Sequence, residues 1–228
     1  MAVFKFKQFQ VRNDLSAMKV NTDGVLLGAA MTIPRDAGHF LDIGTGTGTI
    51  ALMAAQRCGS ACIDAIDIDA PSAREAAENF AASPWSRRLR AFHTGLKYDL
   101  IFSNPPSFDS SLLNPDARES EARHSVSLSY REILDFAAEN LNPEGRVSMI
   151  LPSDVEKMLL RHAGSRGLYP QRILKIRTTP QKKASRIIAE FGFPRVSPSP
   201  VEEMLTIQEN GRHTDEYISL TEQFYLFL

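Results

Sequence analysis

The residues whose types and spacing most clearly indicate chemistry form a glycine-rich turn, Asp42-Ile-Gly-Thr-Gly-Thr-Gly48. Glycines permit a tight strand-to-helix turn and let a ligand come close to the backbone. The first turn of the following helix adds backbone N–H groups that have no partner within the helix. The dinucleotide fingerprint Gly-x-Gly-x-x-Gly is not met, because Thr49 stands where it requires glycine. The acid before the first glycine instead suits a ligand that has an ammonium group and no phosphate.

Two further polar groups follow apolar segments of the chain. Asn104-Pro-Pro-Ser107 comes directly after Tyr98–Ser103, and Asp67 lies at the end of Cys62–Ile68. An Asn-Pro-Pro sequence on its own is a common turn. Asp67 stands about where an acid binds ribose hydroxyls in nucleotide-binding folds. Because the carboxyl ends of parallel strands share one edge of a sheet, we expect the two loops Gly44–Gly48 and Asn104–Phe108 to open onto the same crevice.

Strand and helix patterns alternate along the chain. Buried strands are predicted at His39–Ile43, Cys62–Ile68, Tyr98–Ser103 and Arg146–Leu151. Helices are predicted between them at Thr49–Arg57, Ala70–Ala82 and Tyr130–Leu141. This alternation predicts an α/β, Rossmann-like sheet of seven strands, mostly parallel, with an antiparallel C-terminal edge hairpin and helices on both faces. We expect one domain over residues 1–228, with an N-terminal extension (1–36) and a core (38–228).

One connection in this scheme is too short. If Leu89–His93 is a strand parallel to Tyr98–Ser103 and beside it, the crossover between them needs about a dozen residues or more. Only Thr94-Gly-Leu-Lys97 lies between them. We therefore expect that the intervening helix has been lost, or that residues are absent from the sequence at this point.

The composition excludes several classes of protein. Hydrophobic residues make up 43% of the 228 residues and charged residues 23%, which is typical of a globular protein. No apolar run approaches the roughly 20 residues that span a bilayer, and the N-terminus lacks a secretory pattern. Cys58 and Cys62 are too few for a disulfide framework or a structural zinc site. The sequence thus predicts a cytoplasmic monomer without a metal, and the net charge of −1 shows no overall basic excess.

The glycine turn followed by Asn-Pro-Pro-x resembles the amino-group methyltransferases that act on adenine, guanine or glutamine amide nitrogen. A finer resemblance, to the bacterial tRNA1(Val) adenine-N6-methyltransferase family, covers nearly the whole chain. It rests on five segments: Phe6-Lys-Gln-Phe9, Met18-Lys-Val-Asn-Thr-Asp-Gly-Val-Leu-Leu-Gly28, Ala122-Arg-His124, Thr178-Thr-Pro-Gln-Lys182 and Glu216-Tyr-Ile-Ser-Leu-Thr221. The resemblance implies S-adenosylmethionine as cofactor, tRNA as partner, and an anticodon-loop adenine of tRNA1(Val) as target.

The resemblance also implies roles for single residues. Asn104 and the backbone carbonyl of Pro105 accept hydrogen bonds from the exocyclic amino group, and Pro106 and Ser107 complete the motif. Together with the glycine turn, it assigns cofactor binding to Asp42, Gly44, Thr45, Gly46, Asp67, Thr22 and Gly24. Correct positioning of the reactants can lower the activation free energy by on the order of 7–11 kcal/mol. It supplies most of the rate enhancement because the sulfonium is already a strong methyl donor. The target base must leave its stack to reach the pocket.

Two positions depart from the family's pattern. Ser107 stands where an aromatic ring normally stacks on the base, a contact worth about 1–3 kcal/mol. Phe108 follows it, one position out of register. Asn21 stands where the family usually has glycine.

Six cations fall within one stretch that contains no acid: Arg172, Lys175, Arg177, Lys182, Lys183 and Arg186. They form either a phosphate-contacting patch or a solvated strand face, and the resemblance favours RNA. We assign substrate binding to six residues: Phe108, Arg123, His124, Lys182, Lys183 and Arg186. The aromatic residues at the C-terminus, Phe224, Tyr225 and Phe227, are expected to pack in the core rather than to stack on bases.

The leading hypothesis from the sequence is N6-methylation of an adenine in tRNA. A second hypothesis is methylation of another amino nitrogen, in a protein glutamine side chain or at N2 of guanine. A third is a cofactor- or RNA-binding module without catalytic activity, which the replacement of the aromatic by Ser107 would explain.

Overall fold

The computed structural model describes residues 2–16, 18–34, 38–91, 97–105, 129–194 and 200–226. Its strands are β1 Val3–Lys5, β2 Gln10–Arg12, β3 His39–Ile43, β4 Cys62–Ile66, β5 Leu89–Ala91, β6 Tyr98–Ser103, β7 Leu141–Pro152, β8 Tyr169–Arg177, β9 Arg186–Gly192, β10 Val201–Thr206, β11 Gln208–Glu209 and β12 Arg212–His213. Its α-helices are α1 Thr22–Ala30, α2 Thr49–Arg57, α3 Ala70–Ala81, α4 Tyr130–Asn140, α5 Glu156–Ser165 and α6 Asp215–Thr221.

Eight of these strands form one sheet in the order β10-β8-β9-β7-β6-β3-β4-β5. Strands β5, β4, β3, β6 and β7 are parallel neighbours, and β9 runs antiparallel to both β7 and β8. Strand β10 is parallel to β8. The carboxyl ends of β3 to β8 and of β10 therefore lie at one edge, here called the upper edge, together with the start of β9.

The predicted α/β class with a mostly parallel sheet is confirmed. The structure has eight strands in this sheet where the sequence predicted seven, because β10 adds to β8. The β8–β9 hairpin consequently lies inside the sheet rather than at its edge. A pattern of apolar residues identifies a strand, but it does not identify the neighbour with which that strand forms its hydrogen bonds.

The premise about the short connection was wrong. Strand β5 pairs with β4 and lies at one end of the sheet, whereas β6 pairs with β3 and β7 near the centre. The two strands are therefore not neighbours, and β3 and β4 lie between them. Residues 92–96 of the connection lie outside the described residues.

Local side-chain bonds set where the helices begin. The Asn21 side chain accepts a hydrogen bond from the Gly24 N–H at 2.8 Å and caps α1. Asp69 caps α3 through the Ser72 N–H at 2.9 Å, next to a proline in the first turn. Ser129 begins α4 in a capping box with Glu132. Asn21, a departure from the family's glycine, is thus a good helix cap in its own right.

Apolar layers cover both faces of the sheet. One layer contains α1, α2 and α3 with the N- and C-terminal segments, and its buried side chains include Leu26, Leu52 and Phe80. The other layer is built from α4 and α5 and includes Ile133 and Leu159. Buried on both sides, the central strands form a rigid support for the loops at the upper edge.

Candidate functional site

The glycine turn links β3 to α2 at the upper edge, as predicted. Gly44, Gly46 and Gly48 all have positive φ, at 74°, 54° and 81°. A Cβ at Gly48 would lie 2.5 Å from the Phe80 ring, whereas one at Gly44 would meet no atom within 4 Å. The turn is therefore closed on the side that faces α3 and open at Gly44, where a ligand can approach the backbone.

Asp42 lies beneath this turn with its carboxyl fully buried. The Thr45 hydroxyl donates to Oδ2 at 2.7 Å, and Oδ1 has no hydrogen-bond partner among the described residues. Burial raises the pKa of Asp42 to about 7, opposed by the Thr45 bond and assisted by the nearby charge of Asp67. A positive charge bound close to the turn would therefore favour the ionised carboxylate.

Asp67 follows β4 and orients the glycine turn. Its Oδ2 accepts from the Gly46 N–H at 2.8 Å, and its Oδ1 accepts from the Asp69 N–H at 2.8 Å. Each carboxylate oxygen can accept further bonds, so the predicted contact with ribose hydroxyls stays a prediction. The neighbouring Ile68 side chain is 72% exposed, which leaves an apolar surface beside this acid.

Asn104 follows β6 and is brought to the same place. The Ser103 hydroxyl, which is buried, donates to the Ile43 carbonyl at 2.6 Å and ties the end of β6 to the end of β3. Asn104 is half-buried and Pro105 is buried. The prediction that the two loops share one crevice is confirmed, because one pocket is lined by both Asn104 and residues 44–47.

The N-terminal segment forms another wall of this pocket. Its contribution consists of four consecutive residues and one glycine of α1: Met18, Lys19, Val20, Asn21 and Gly24. Thr22, predicted to bind the cofactor, is exposed at the start of α1 and is not among the lining residues. Residue spacing does not predict this wall, although the segment Met18–Gly28 carries part of the resemblance to the family.

These features suit the cofactor that the sequence implies. The open backbone at Gly44 would admit a ligand that a Cβ would obstruct, and the buried Asp42 carboxyl suits a positively charged group. S-adenosylmethionine carries positive charge and no phosphate, so the residues present fit it.

Five predicted site residues lie outside the described residues: Pro106, Ser107, Phe108, Arg123 and His124. Their assigned roles stay predictions.

Four of the six cations in the predicted basic patch form ion pairs or hydrogen bonds with neighbouring groups. Arg172 contacts Glu190 at 3.3 Å and Glu203 at 2.7 Å, and Lys175 contacts two glutamates at 3.4 Å. The Arg177 guanidinium donates to neighbouring oxygens. Arg186 pairs with Asp23 of α1 at 2.8 Å.

Lys182 and Lys183 differ from these four cations. Both are exposed in the connection between β8 and β9, and neither makes an ion pair with any residue that the structure describes. This connection, residues 178–185, lies at the upper edge, the edge to which Asn104 also belongs. The structure therefore leaves these two lysines available to an anionic partner on the side of the pocket.

The part of the chain that the structure describes contains neither a membrane-spanning helix nor a metal-binding cluster. No helix there is long and apolar enough to cross a membrane. No cluster of three or more His, Cys, Asp or Glu side chains with the geometry of a metal site occurs in these ranges. Cys58 and Cys62 are both free thiols.

Comparison of the sequence with known proteins gives consistent results. Residues 15–162 match the methyltransferase small domain family. The chain is 44% identical over 233 residues to the tRNA1(Val) (adenine(37)-N6)-methyltransferase of Bacteroides fragilis, with 98% of this chain and 97% of that protein covered. It is 39% identical over 233 residues to the protein of the same name from Flavobacterium johnsoniae, with 98% and 99% covered.

Solved structures agree at the level of the fold. A protein of Agrobacterium tumefaciens, predicted to be an O-methyltransferase, superposes with a TM-score of 0.65 at 17% identity, covering 87% of this chain and 95% of that chain. TrmN of Thermus thermophilus gives a TM-score of 0.52 at 25% identity, covering 75% of this chain and 48% of that one.

Proposed function

The chain belongs to the tRNA1(Val) (adenine(37)-N6)-methyltransferase family, and from that premise we propose that it methylates N6 of an adenine in tRNA. As a member of this family it is an S-adenosylmethionine-dependent methyltransferase. By the name of its relatives, the proposed target is adenine 37 of tRNA1(Val). A tRNA substrate also leads us to propose a cytoplasmic location.

The observation that carries this proposal is the placement of Asn104 in the wall of the pocket that the glycine turn opens. An amide oxygen there can accept a hydrogen bond from an amino group, and the Pro105 carbonyl next to it is a second acceptor. Two acceptors orient an exocyclic amino group and draw its electron density away from the ring. Ser103 keeps both acceptors close to β3 through its bond to the Ile43 carbonyl.

The remaining residues around the pocket would bind and orient the cofactor. When bound, S-adenosylmethionine supplies a methyl group on a positively charged sulfur, which is a strong electrophile. In the proposal the Asp42 carboxylate favours that positive charge, Gly44 and Gly46 give access to the backbone, and Asp67 holds the turn. No strong general base is required, so positioning supplies most of the rate enhancement.

Methyl transfer from labelled cofactor tests the proposal directly. Purified protein is incubated with labelled S-adenosylmethionine and, separately, with bulk tRNA, protein and DNA. We expect label in tRNA and, after digestion, N6-methyladenosine by mass. Label in protein alone, or in a guanine nucleoside, would contradict the proposal in favour of another amino acceptor. Cofactor binding without any transfer would indicate a non-catalytic module.

Asn104→Ala tests the role of the amide. Removal of one acceptor of the amino group is expected to lower the rate of transfer by at least about 100-fold, a loss typical of positioned hydrogen-bonding groups. The dissociation constant for S-adenosylmethionine, measured by calorimetry, should change by less than about threefold. Turnover near the wild-type rate would refute the role assigned to Asn104.

A further inference from the structure

The pocket wall contributed by the N-terminal segment is held in place from α3. We call residues 12–16 and 18–21 the strap. Its residues 18–21 line the pocket together with Asn104 and the glycine turn. The strap also packs directly on the glycine turn, since a Cβ at Gly46 would lie 3.3 Å from the Ser16 hydroxyl and 3.6 Å from the Met18 carbonyl. The position of the strap therefore decides the shape of the cofactor pocket.

A single buried carboxylate anchors the strap. Glu75 of α3 is 1% exposed, and its two oxygens accept hydrogen bonds from three consecutive backbone N–H groups. The donors are Asp14 at 2.7 Å, Leu15 at 2.8 Å and Ser16 at 2.8 Å. Hydrogen bonds to an ionised acceptor are about twice as strong as those between neutral groups. No other described residue accepts from these three N–H groups.

The same face of α3 also holds the glycine turn. Asn79, one helical turn beyond Glu75, donates to the Thr47 carbonyl at 2.9 Å and to the Arg12 carbonyl at 3.1 Å. Its Oδ1 accepts from the Arg12 N–H at 2.8 Å. Helix α3 thus fixes the strap and the glycine turn relative to each other.

Hydrogen bonds within the strap connect residues 13–16, next to Glu75, to residues 18–20, which line the pocket. The Ser16 hydroxyl donates to the Met18 carbonyl at 3.0 Å, and the Lys19 ammonium donates to the Asp14 carbonyl at 2.7 Å. The Asn13 side chain accepts from the Val20 N–H at 3.1 Å. Residues at the anchored end are therefore bonded to three of the four residues that line the pocket.

We propose that Glu75 is a positioning residue for the cofactor: without lining the pocket, its carboxylate sets the strap wall against the glycine turn. The proposal rests on the proposed function, because it concerns the pocket for S-adenosylmethionine. A glutamine at this position would turn an amide donor toward N–H groups that are themselves donors. The anchor of residues 14–16 on α3 would then be weakened, although Asn79 would still hold Arg12, and the pocket wall would shift while Asn104 and the turn remained.

Glu75→Gln, with Glu190→Gln as matched control, tests the proposal on the full chain. Glu190 is 0% exposed and likewise accepts a backbone N–H, from Thr32 at 2.8 Å, but neither Glu190 nor Thr32 lines the pocket. Both variants are expected to be less stable than the wild type. Calorimetry with S-adenosylmethionine should give a dissociation constant 10- to 100-fold higher for Glu75→Gln and within twofold of wild type for Glu190→Gln.

Kinetics and proteolysis separate positioning from general loss of stability. For Glu75→Gln the KM for cofactor should rise by a similar factor, while kcat at saturating cofactor stays within about threefold. Trypsin should cleave after Lys19 faster in this variant than in Glu190→Gln. Glu75→Asp, which keeps the charge on a shorter side chain, should bind with an intermediate dissociation constant.

Several results would overturn the inference. One is a dissociation constant for S-adenosylmethionine in Glu75→Gln that equals the wild-type value. Another is cofactor binding that Glu190→Gln weakens as much as Glu75→Gln does. If Glu75→Gln does not fold, Asn13→Ala, which removes only the acceptor of the Val20 N–H, should still weaken cofactor binding 3- to 10-fold, and unchanged binding would refute the proposal. Failure of the wild type itself to bind S-adenosylmethionine would instead refute the proposed function, and the inference with it.

Discussion

Asp42 lies in an environment that opposes its own ionisation. Burial raises its pKa from an ordinary value of 3.8 to about 7. The folded protein therefore binds this proton more tightly than the unfolded chain does. Its contribution to stability is most favourable below pH 4, becomes less favourable as pH rises toward 7, and stays constant above that.

Replacement of this acid should remove that pH dependence. The wild type is expected to lose on the order of 2–3 kcal/mol of unfolding free energy from this group between pH 5 and pH 8, since each unit of pKa difference corresponds to about 1.4 kcal/mol. Asp42→Asn, which cannot ionise, should be nearly equal to the wild type only below about pH 4, and its advantage in stability over the wild type should grow by about 2–3 kcal/mol between pH 5 and pH 8. Urea denaturation at the two pH values measures both proteins.

Cofactor provides the control for this prediction. A positive charge bound near Asp42 favours the carboxylate. Saturating S-adenosylmethionine should therefore reduce the change of unfolding free energy with pH in the wild type, and should leave that pH dependence nearly unchanged in Asp42→Asn. Identical pH profiles of the two apo proteins would show that Asp42 is not the group responsible.

At the scale of elements, the connection between β8 and β9 separates cations that the sequence presents as one patch. Four of the six are paired with acids or with neighbouring oxygens on the strands. Lys182 and Lys183 extend from the connection at the upper edge, where the pocket also lies. An exposed cation without an ion pair can contact a phosphate without first giving up a protein partner.

Removal of both lysines should weaken tRNA binding while sparing cofactor binding. Each phosphate contact contributes about 0.7–0.9 to the slope of log affinity against log salt concentration, so Lys182→Ala with Lys183→Ala should reduce that slope by about 1 to 2. Filter binding with tRNA at several salt concentrations measures it.

The matched control removes the same charge elsewhere. Arg87 and Arg161 are exposed, the first before β5 at the opposite edge of the sheet and the second within α5. Their double alanine variant should leave the slope unchanged. An equal loss in both double variants would mean that only net charge matters, and that the connection is not a contact site.

At the scale of the whole molecule, the two ends of the chain close one apolar layer together. The Lys7 N–H donates to the Phe224 carbonyl at 2.9 Å, and the Phe6 ring stacks on Tyr225 with centroids 6.5 Å apart. Phe224 is 0% exposed, so the prediction that it packs in the core is confirmed; Phe227 lies outside the described residues. These contacts support our proposal that residues 1–228 form one domain, with the extension 1–36 as part of it.

Truncation of the buried C-terminal ring should destabilise the whole chain. Phe224→Ala is expected to lower the free energy of unfolding by about 3–5 kcal/mol, because it leaves a cavity in the shared layer. Leu226→Ala, whose side chain is 44% exposed, should change it by less than about 0.5 kcal/mol. Fluorescence of Trp85, which contacts Phe9, and circular dichroism should report one coincident transition. Separate transitions would contradict the single domain.

Local features of this protein could be predicted from its sequence because local forces determine them. The glycine turn requires positive φ at three positions, which only glycine adopts readily, and its sequence states that requirement. Asn21 and Ser129 begin helices through bonds to residues three positions away. Alternating strands and helices imply a parallel sheet, and the upper edge of that sheet placed Asn104 beside the turn.

Only the tertiary structure decided which distant residues meet. Strand β10 pairs with β8, two strands separate β5 from β6, and three of the four cations on the strands pair with acids from other elements. Glu75 reads as an ordinary helix acid in the sequence, yet it holds three N–H groups about 60 residues away in the chain. Such contacts depend on how packed elements bring their surfaces together, and that geometry has no signature in the spacing of residues along one chain.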